Sequence, residues 1–347
     1  MEHTGYLFSL AGISAMCCWL DLINIKKVYK NIILIIILGF ALYCGYINFF
    51  NSTDYDVYNM YYNYASGNFE FEYNNDIYDY GYVWFHTIIK SLGGDLMNVY
   101  FFTCLISLIC YYITLRKYTL YIFSTWFLLF GKYFAAQNII QIRQGLACAI
   151  MLLSLKYVYE KKFIKFICII FIAMLIHKTV IVALLIYPAS KIKWNKIKVY
   201  GGILISLFFC FLPVMTNLIF RILLPIIGIE LDKFEAYEGG DFSTPISIFE
   251  IAFRLSTVSF FSWFLLKWKN EGYNQIFLSM LMLGFGFLCM FSDFNVLSER
   301  LSTIFFLAFS FVPVVLFHEA NSLKMKILIN TFILIMGIIL VTKNYIL

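Results

Sequence analysis

Charged residues are few in this chain. Asp, Glu, Lys and Arg make up 13% of its 347 residues, where soluble domains carry about a quarter, and 62% of the residues are apolar. A soluble enzyme is thereby excluded, and apolar runs recurring from end to end give an all-α polytopic membrane protein with no soluble domain. Proline is scarce as well, at 5 residues, so no proline-rich linker divides the chain and a single transmembrane domain over 1–347 is expected. The nine cysteines, Cys17, Cys18, Cys44, Cys104, Cys110, Cys148, Cys168, Cys210 and Cys289, lack metal-ligand spacing. All fall in apolar runs, where a thiol behaves as a small hydrophobe, so neither a disulfide nor a metal site is expected. A net charge of +6 raises nucleic acid as a partner, but the lysines cluster in short loops, as cytoplasm-facing loops do, and no nucleic acid is needed.

About 20 apolar residues cross the hydrocarbon core, and basic loops stay on the cytoplasmic side. The N-terminal apolar run precedes Lys26, Lys27 and Lys30 without the basic flank of a secretory signal, so it reads as a first span with its N-terminus outside. Residues 31–50 return outward, and the segment 51–80 is left on the outer face. GYVWFHTIIKSLGG is too short to cross and belongs at the outer interface or dipping in, 96–115 cross, and 119–137 and 139–159 turn around Arg143. Between the cytoplasmic lysines ending at Lys165 and those starting at Lys191, about 25 residues must leave and return. FICIIFIAMLIHKTVIVALLIYPAS is therefore two short spans or a re-entrant hairpin with His177 and Lys178 at its tip. Spans at about 199–220, 246–266, 275–291, 301–317 and 326–342 complete about twelve transmembrane helices, with a second outer loop at about 221–245 and both termini outside.

Arginine is the next scarcity, five residues against 21 lysines. Where lysine serves for plain positive charge, arginine marks places that need a planar fork able to hold paired phosphate oxygens. Arg116 is an ordinary cytoplasmic anchor, but Arg143, Arg221, Arg254 and Arg300 fall at outer span ends or within spans, against the positive-inside bias. Charges at membrane depth cost about 2.5–3.5 kcal/mol and therefore mark function or pairing. Arg254 follows Glu250 by four residues, the spacing of a helical ion pair, and Arg221 suits an interfacial anchor. Gln137, Gln141 and Gln144 are expected to share a helix face near Arg143, and Ser298 and Glu299 precede Arg300.

The segment 51–80 contains no lysine or arginine. Its carboxylates, Asp54, Asp56 and Asp79 among them, are interleaved with Tyr55, Tyr58, Tyr61, Tyr62, Tyr64, Tyr73, Tyr78 and Tyr80. Carboxylates accept hydrogen bonds from hydroxyls and aromatic faces offer flat apolar area, which together suit a glycan. Acidic loops are also what positive-inside topology leaves outside by default. Arginines at head-group depth with carboxylates above them suit a lipid-linked saccharide, phosphates low and sugars high. Asp56, Tyr55, Tyr58, Tyr80, Tyr82 and Gln144 are candidate sugar contacts. His177, at the hairpin tip, can take a hydroxyl proton near neutral pH or serve as a hydrogen-bonded core histidine. His86 is a weaker candidate, and His3 and His318 read as end and loop residues.

TDYDVY (53–58), YDYGY (78–82), IRQGLACAIMLLSLKYVYEKK from Ile142, LIHKTVIVAL around His177 and SERLSTIFF around Arg300 together resemble one known family. It is the EpsG-like branch of Wzy-type polymerases, bacterial membrane proteins that polymerise exopolysaccharide, capsule or O-antigen repeat units. Asp79 stands where that family usually has Glu. The resemblance implies glycosyl transfer on the outer face of the bacterial cytoplasmic membrane. The growing chain leaves undecaprenyl pyrophosphate and joins an incoming lipid-linked repeat unit, without nucleotide sugar, cofactor or metal. A broadly GT-C-like fold is implied by analogy, with a flippase and a chain-length regulator of the same pathway as partners. Arg143, Arg300, Lys178 and Arg254 would then bind pyrophosphate, and His177, Asp54 or Asp79 would activate the acceptor hydroxyl. A transporter or flippase of lipid-linked saccharide and a membrane acyltransferase are the rivals. The first lacks paired halves with matched broken helices, and the second leaves the acidic tyrosine-rich segment unexplained.

Overall fold

The computed structural model describes residues 4–23, 25–70, 79–210, 245–267, 273–318 and 320–345, and every regular element among them is helical. In lipid this is the form that lets each backbone N–H find a carbonyl within its own segment. At 1.5 Å per residue a helix needs about 20 residues to cross. Among the described residues five stretches are long and apolar enough: α2 (Lys27–Asn48), α5 (Leu96–Tyr118), α11 (Ile248–Lys267), Asn295–His318 and α15 (Leu323–Tyr345). The fourth is composite, with α13 (Asn295–Phe306) joined through the 3-10 turn Leu307–Phe311 to α14 (Val312–His318). Shorter apolar stretches are α8 (Phe163–Ile176), the 3-10 helix Lys178–Leu185 continuing into α9 (Ile186–Ala189), and α12 (Asn274–Met290).

Among the described residues several of the expected spans are not simple full-length helices, for local reasons. The first helix, α1 (Thr4–Cys17), is short, and the run 119–159 is not two simple helices. There α6 (Ile122–Leu129) widens into two π-helical turns, Phe130–Phe134 and Ala136–Ile140, then breaks at Gln141 (φ −91°, ψ 57°) before α7 (Ile142–Tyr159). The run 166–190 breaks at His177, whose backbone is extended (φ −153°, ψ 111°). Helix α10 (Lys196–Cys210) leads into residues outside those described, which include Arg221 and nearly all of the expected loop 221–245. One expectation needs correction. Gln137 lies in a π turn, Gln141 at the break and Gln144 in α7, so the three share no helix face. Within the acidic segment, Tyr55–Tyr64 is helix α3, whose buried side, Tyr58 and Tyr61, faces α4 (Tyr80–Ser91), while 71–78, with Tyr73 and Tyr78, lie outside the described residues.

The chain forms two compact units. In the first, Met1–Ile181 with Ser310–Leu347, α2 packs on α5, α5 on α7 and α7 on α8, while α1 and α15 flank α6 and its π extension. Trp126, Phe127, Phe130 and Phe134 fill the interior. Two glycines set how closely the elements approach. A Cβ on Gly81 would stand 2.7 Å from the Leu175 carbonyl oxygen, so α4 can rest on the end of α8 only with glycine there. A Cβ on Gly145 would overlap the Gln137 carbonyl, which seats the start of α7 on the second π turn.

In the second unit, Val182–Phe309, α12 packs against α10, α11 and α13. Phe287 stacks on Phe305 with 5.2 Å between ring centres. Trp194 donates from Nε1 to Ser279 Oγ (2.8 Å), and that hydroxyl lies 3.0 Å from the Ala189 carbonyl it donates to, pinning α9 to α12. Arg254 is buried, donates from Nε to Glu250 (2.8 Å) one helical turn earlier, and lies 4.3 Å from the Phe306 ring centre.

Candidate functional site

Within the first unit, four elements bring one charged cluster together. Its centre is Asp79, the residue that opens α4, with backbone φ −118° and ψ 79° and its carbonyl accepting from Tyr82 and Val83. Its carboxylate is 4% exposed and has three donors. Arg143 Nη1 lies 2.7 Å from Oδ2, His177 Nδ1 3.3 Å from the same oxygen, and the Lys178 backbone N–H donates to Oδ1 at 3.2 Å. Burial alone pushes the carboxyl pKa up. The His177 hydrogen bond and charge, the Arg143 charge and the Lys178 N–H outweigh it and hold the group below its ordinary value.

Arg143 is the second residue of α7, at the positive end of the helix dipole, where a cation is disfavoured. Asp79 offsets that. The guanidinium also donates from Nη1 to the Tyr61 hydroxyl at 2.6 Å, and its carbon lies 4.5 Å from the Tyr61 ring centre and 5.6 Å from that of Tyr58. Its Nε is buried and has no hydrogen-bond partner among the described residues. Side-chain exposures of 17% for Arg143 and 13% for His177 make both partly exposed, although Arg143 Nε and His177 Nε2 are themselves buried. Removing one member of such a partly buried ion pair costs about 3–5 kcal/mol because the other charge is stranded.

His177 owes its position to the break after α8, where its N–H still bonds the Ala173 carbonyl and its chain then turns into the 3-10 helix. With Nδ1 donating to Asp79, a neutral ring would carry its lone pair on Nε2, which is buried without a partner among the described residues. That is the arrangement of an oriented general base. Lys178 is exposed, with its ammonium 5.2 Å from the Tyr80 ring centre.

The structure therefore brings together Arg143, Asp79, His177 and Lys178, with Tyr80 at the rim. Tyr58 and Tyr82, expected as sugar contacts, are 1% and 0% exposed and form the floor, with Tyr82 Oη 3.3 Å from Thr103 Oγ1. Gln144 is also buried. Tyr55 and Asp56 lie on the outer side of α3, half-buried and exposed. Asp54 precedes α3, makes no ion pair among the described residues and is not in the cluster. Arg254 and Arg300 belong to the second unit, Arg300 half-buried on α13. His86 is fully buried beside Tyr82, with 4.8 Å between ring centres. Burial pushes its pKa down to about 3, aided by the Arg143 and Lys90 charges, so it is no base at neutral pH. His3 lies outside the described residues, and His318 ends α14. Tyr61 was not among the candidates. Its spacing of three from Tyr58, which puts both on one face of a helix, was the signal that could have found it.

No curated protein and no solved structure matches the chain. The model of the EpsG family does, over residues 30–346, and the Arg143 helix, the His177 segment and Asp79 all fall within that span. This chain belongs to the EpsG family, and with its apolar helices it is a membrane protein of polysaccharide biosynthesis, an enzyme of the polysaccharide-polymerase type.

Proposed function

We propose that the protein is a Wzy-type glycosyltransferase that joins undecaprenyl-pyrophosphate-linked oligosaccharides on the outer face of the bacterial cytoplasmic membrane, with both termini outside. The observation that carries this is a single carboxylate oxygen shared by an arginine and a histidine. The acceptor hydroxyl oxygen attacks the anomeric carbon of the donor while its proton passes to His177 Nε2. The bond from that carbon to the diphosphate oxygen breaks, and its electron pair leaves with the diphosphate beside Arg143. The cluster thus gains a positive charge on the imidazole as negative charge develops on the leaving group. The diphosphate then takes the proton and restores the neutral ring.

Asp79 acts as the orienting group rather than the base, because three donors hold it ionised. Neither nucleotide sugar nor metal enters this scheme, since Arg143 supplies the positive charge. Tyr55, Asp56 and Tyr80 are the sugar contacts. A flippase that delivers the substrate and a chain-length regulator are the partners the chemistry calls for. Purified protein in proteoliposomes, given lipid-linked repeat units, tests the proposal. A ladder of longer glycans that disappears with Arg143→Ala supports it. Translocation without elongation makes the protein a flippase, and acyl transfer makes it an acyltransferase.

A further inference from the structure

Resting on the glycosyl-transfer function proposed above, we infer that Tyr61 is a positioning residue that commits Arg143 to one phosphoryl group, held in the guanidinium plane along the Nε–Nη2 edge. An Nη nitrogen carries two hydrogens. On Nη1 there is an acceptor for each, the Tyr61 hydroxyl at 2.6 Å and Asp79 Oδ2 at 2.7 Å. The end-on fork formed by the two Nη groups is therefore closed to a ligand. The faces of the ion are flanked as well, by the Tyr61 ring at 4.5 Å and the Tyr58 ring at 5.6 Å. The unmet donor lies on the side-on edge: Nε is buried and has no partner among the described residues, although the Tyr58 hydroxyl also hydrogen-bonds the Arg143 side chain. Two parallel N–H groups on that edge match two oxygens of one tetrahedral phosphoryl group.

Asp79 alone does not select the edge, because one acceptor leaves Nη1 a second hydrogen and leaves the guanidinium free to swing about that single bond. Tyr61 supplies the second point, and α3 carries it to Arg143. In the proposed reaction the seated group is the phosphate bonded to the sugar, since it must lie beside His177, which shares the Asp79 oxygen with Arg143. The second phosphate, on the lipid side, receives nothing from Arg143.

The chain has only five arginines, so the Nε–H resonance of Arg143 can be assigned in nitrogen-15-labelled protein by its disappearance in Arg143→Lys. Inorganic phosphate, inorganic pyrophosphate and undecaprenyl phosphate in nanodiscs are the probes. Phosphate and pyrophosphate should both move that resonance downfield with affinities within about threefold of each other, because each seats one phosphoryl group. Tyr61→Phe keeps the ring but removes the acceptor, and should weaken both by about tenfold, the loss expected for one hydrogen bond to a charged group. Its melting temperature should stay at the wild-type value. Should binding leave the Nε–H resonance unmoved, pyrophosphate bind a hundredfold more tightly than phosphate, or Tyr61→Phe bind like wild type, the edge assignment is overturned. If Tyr61→Phe does not fold, the first two readouts on wild type still decide. Displacement of phosphate by undecaprenyl phosphate supports a lipid-linked source. Failure to displace it leaves the edge assignment standing while removing the lipid-linked donor proposed above.

Discussion

Among the described residues the first unit buries two carboxylates, Asp79 and Asp21, and the protein treats them in opposite ways. Asp79 sits among an arginine, a histidine and a backbone N–H, and its pKa is held below the ordinary value. Asp21, in the turn between α1 and α2, has a fully buried side chain. Its Oδ2 accepts from the Ser124 N–H at 2.8 Å, capping α6, while the Lys30 ammonium stays 3.6 Å from Oδ1. There burial wins over the Ser124 and Lys30 contributions and the pKa is pushed up to about 6. Burial of similar depth therefore says little about a carboxylate's task. The number and charge of the groups around it decide whether it holds charge for a reaction or joins helices.

The sharpest way to break this comparison is to neutralise Asp79. Asp79→Asn should remove one member of the charge cluster, misalign both Arg143 and His177, and lower elongation by about a thousandfold or more. Arg143→Ala should do the same without loss of protein from the membrane, and Arg143→Lys should recover only part, since an ammonium has no fork. A glycan ladder assay on membranes with matched protein levels reads both. Next in size is His177→Ala, with a loss of about 10²–10⁴ in turnover, the usual range for general base catalysis. A normal rate in that variant would move the base elsewhere.

Asp21→Asn should leave elongation within about twofold and change only the pH dependence of stability. The raised pKa means the folded state binds a proton more tightly than the unfolded one. Its contribution is therefore fully present below an ordinary carboxylate pKa of 3.8 and is lost as pH rises through about 6. Wild type should gain up to roughly 3 kcal/mol from this group between pH 6 and 4, and the Asn variant should not. Asp79 acts with the opposite sign: its contribution is present above the ordinary carboxylate range and is lost below it. Smallest of all is His86→Phe. Both ring nitrogens of His86 lack partners among the described residues, so the apolar replacement should raise stability by about 1 kcal/mol in thermal unfolding.

Helical, membrane-bound architecture was legible because apolar run length is a direct physical requirement of the bilayer, and the family match agrees with it. The chain break at His177 could be located because lysines on both sides bounded the run, and Arg143 stood out because arginine is rare. What could not be read was their common partner. Asp79 lies 64 residues from Arg143 and 98 from His177, and no periodicity connects them. The π turns were equally hidden, since Phe130–Ile140 has the apolar character of any α-helical span, and the wider pitch follows from packing. Tyr58 looked like a surface aromatic of a loop and Tyr82 like part of an interfacial piece, because the floor they build emerges only when α3 and α4 pack together.

Gly81 and Gly145 each follow a member of the charge cluster by two positions, and each meets backbone where a side chain would begin. Evolution can therefore make no small adjustment there: even one methyl group displaces main chain and carries Asp79 or Arg143 along. Tyr55 and Asp56 on the outward side of α3 are under no such restriction. Substitutions have room to accumulate on the outward side of that helix without displacing the ionic centre.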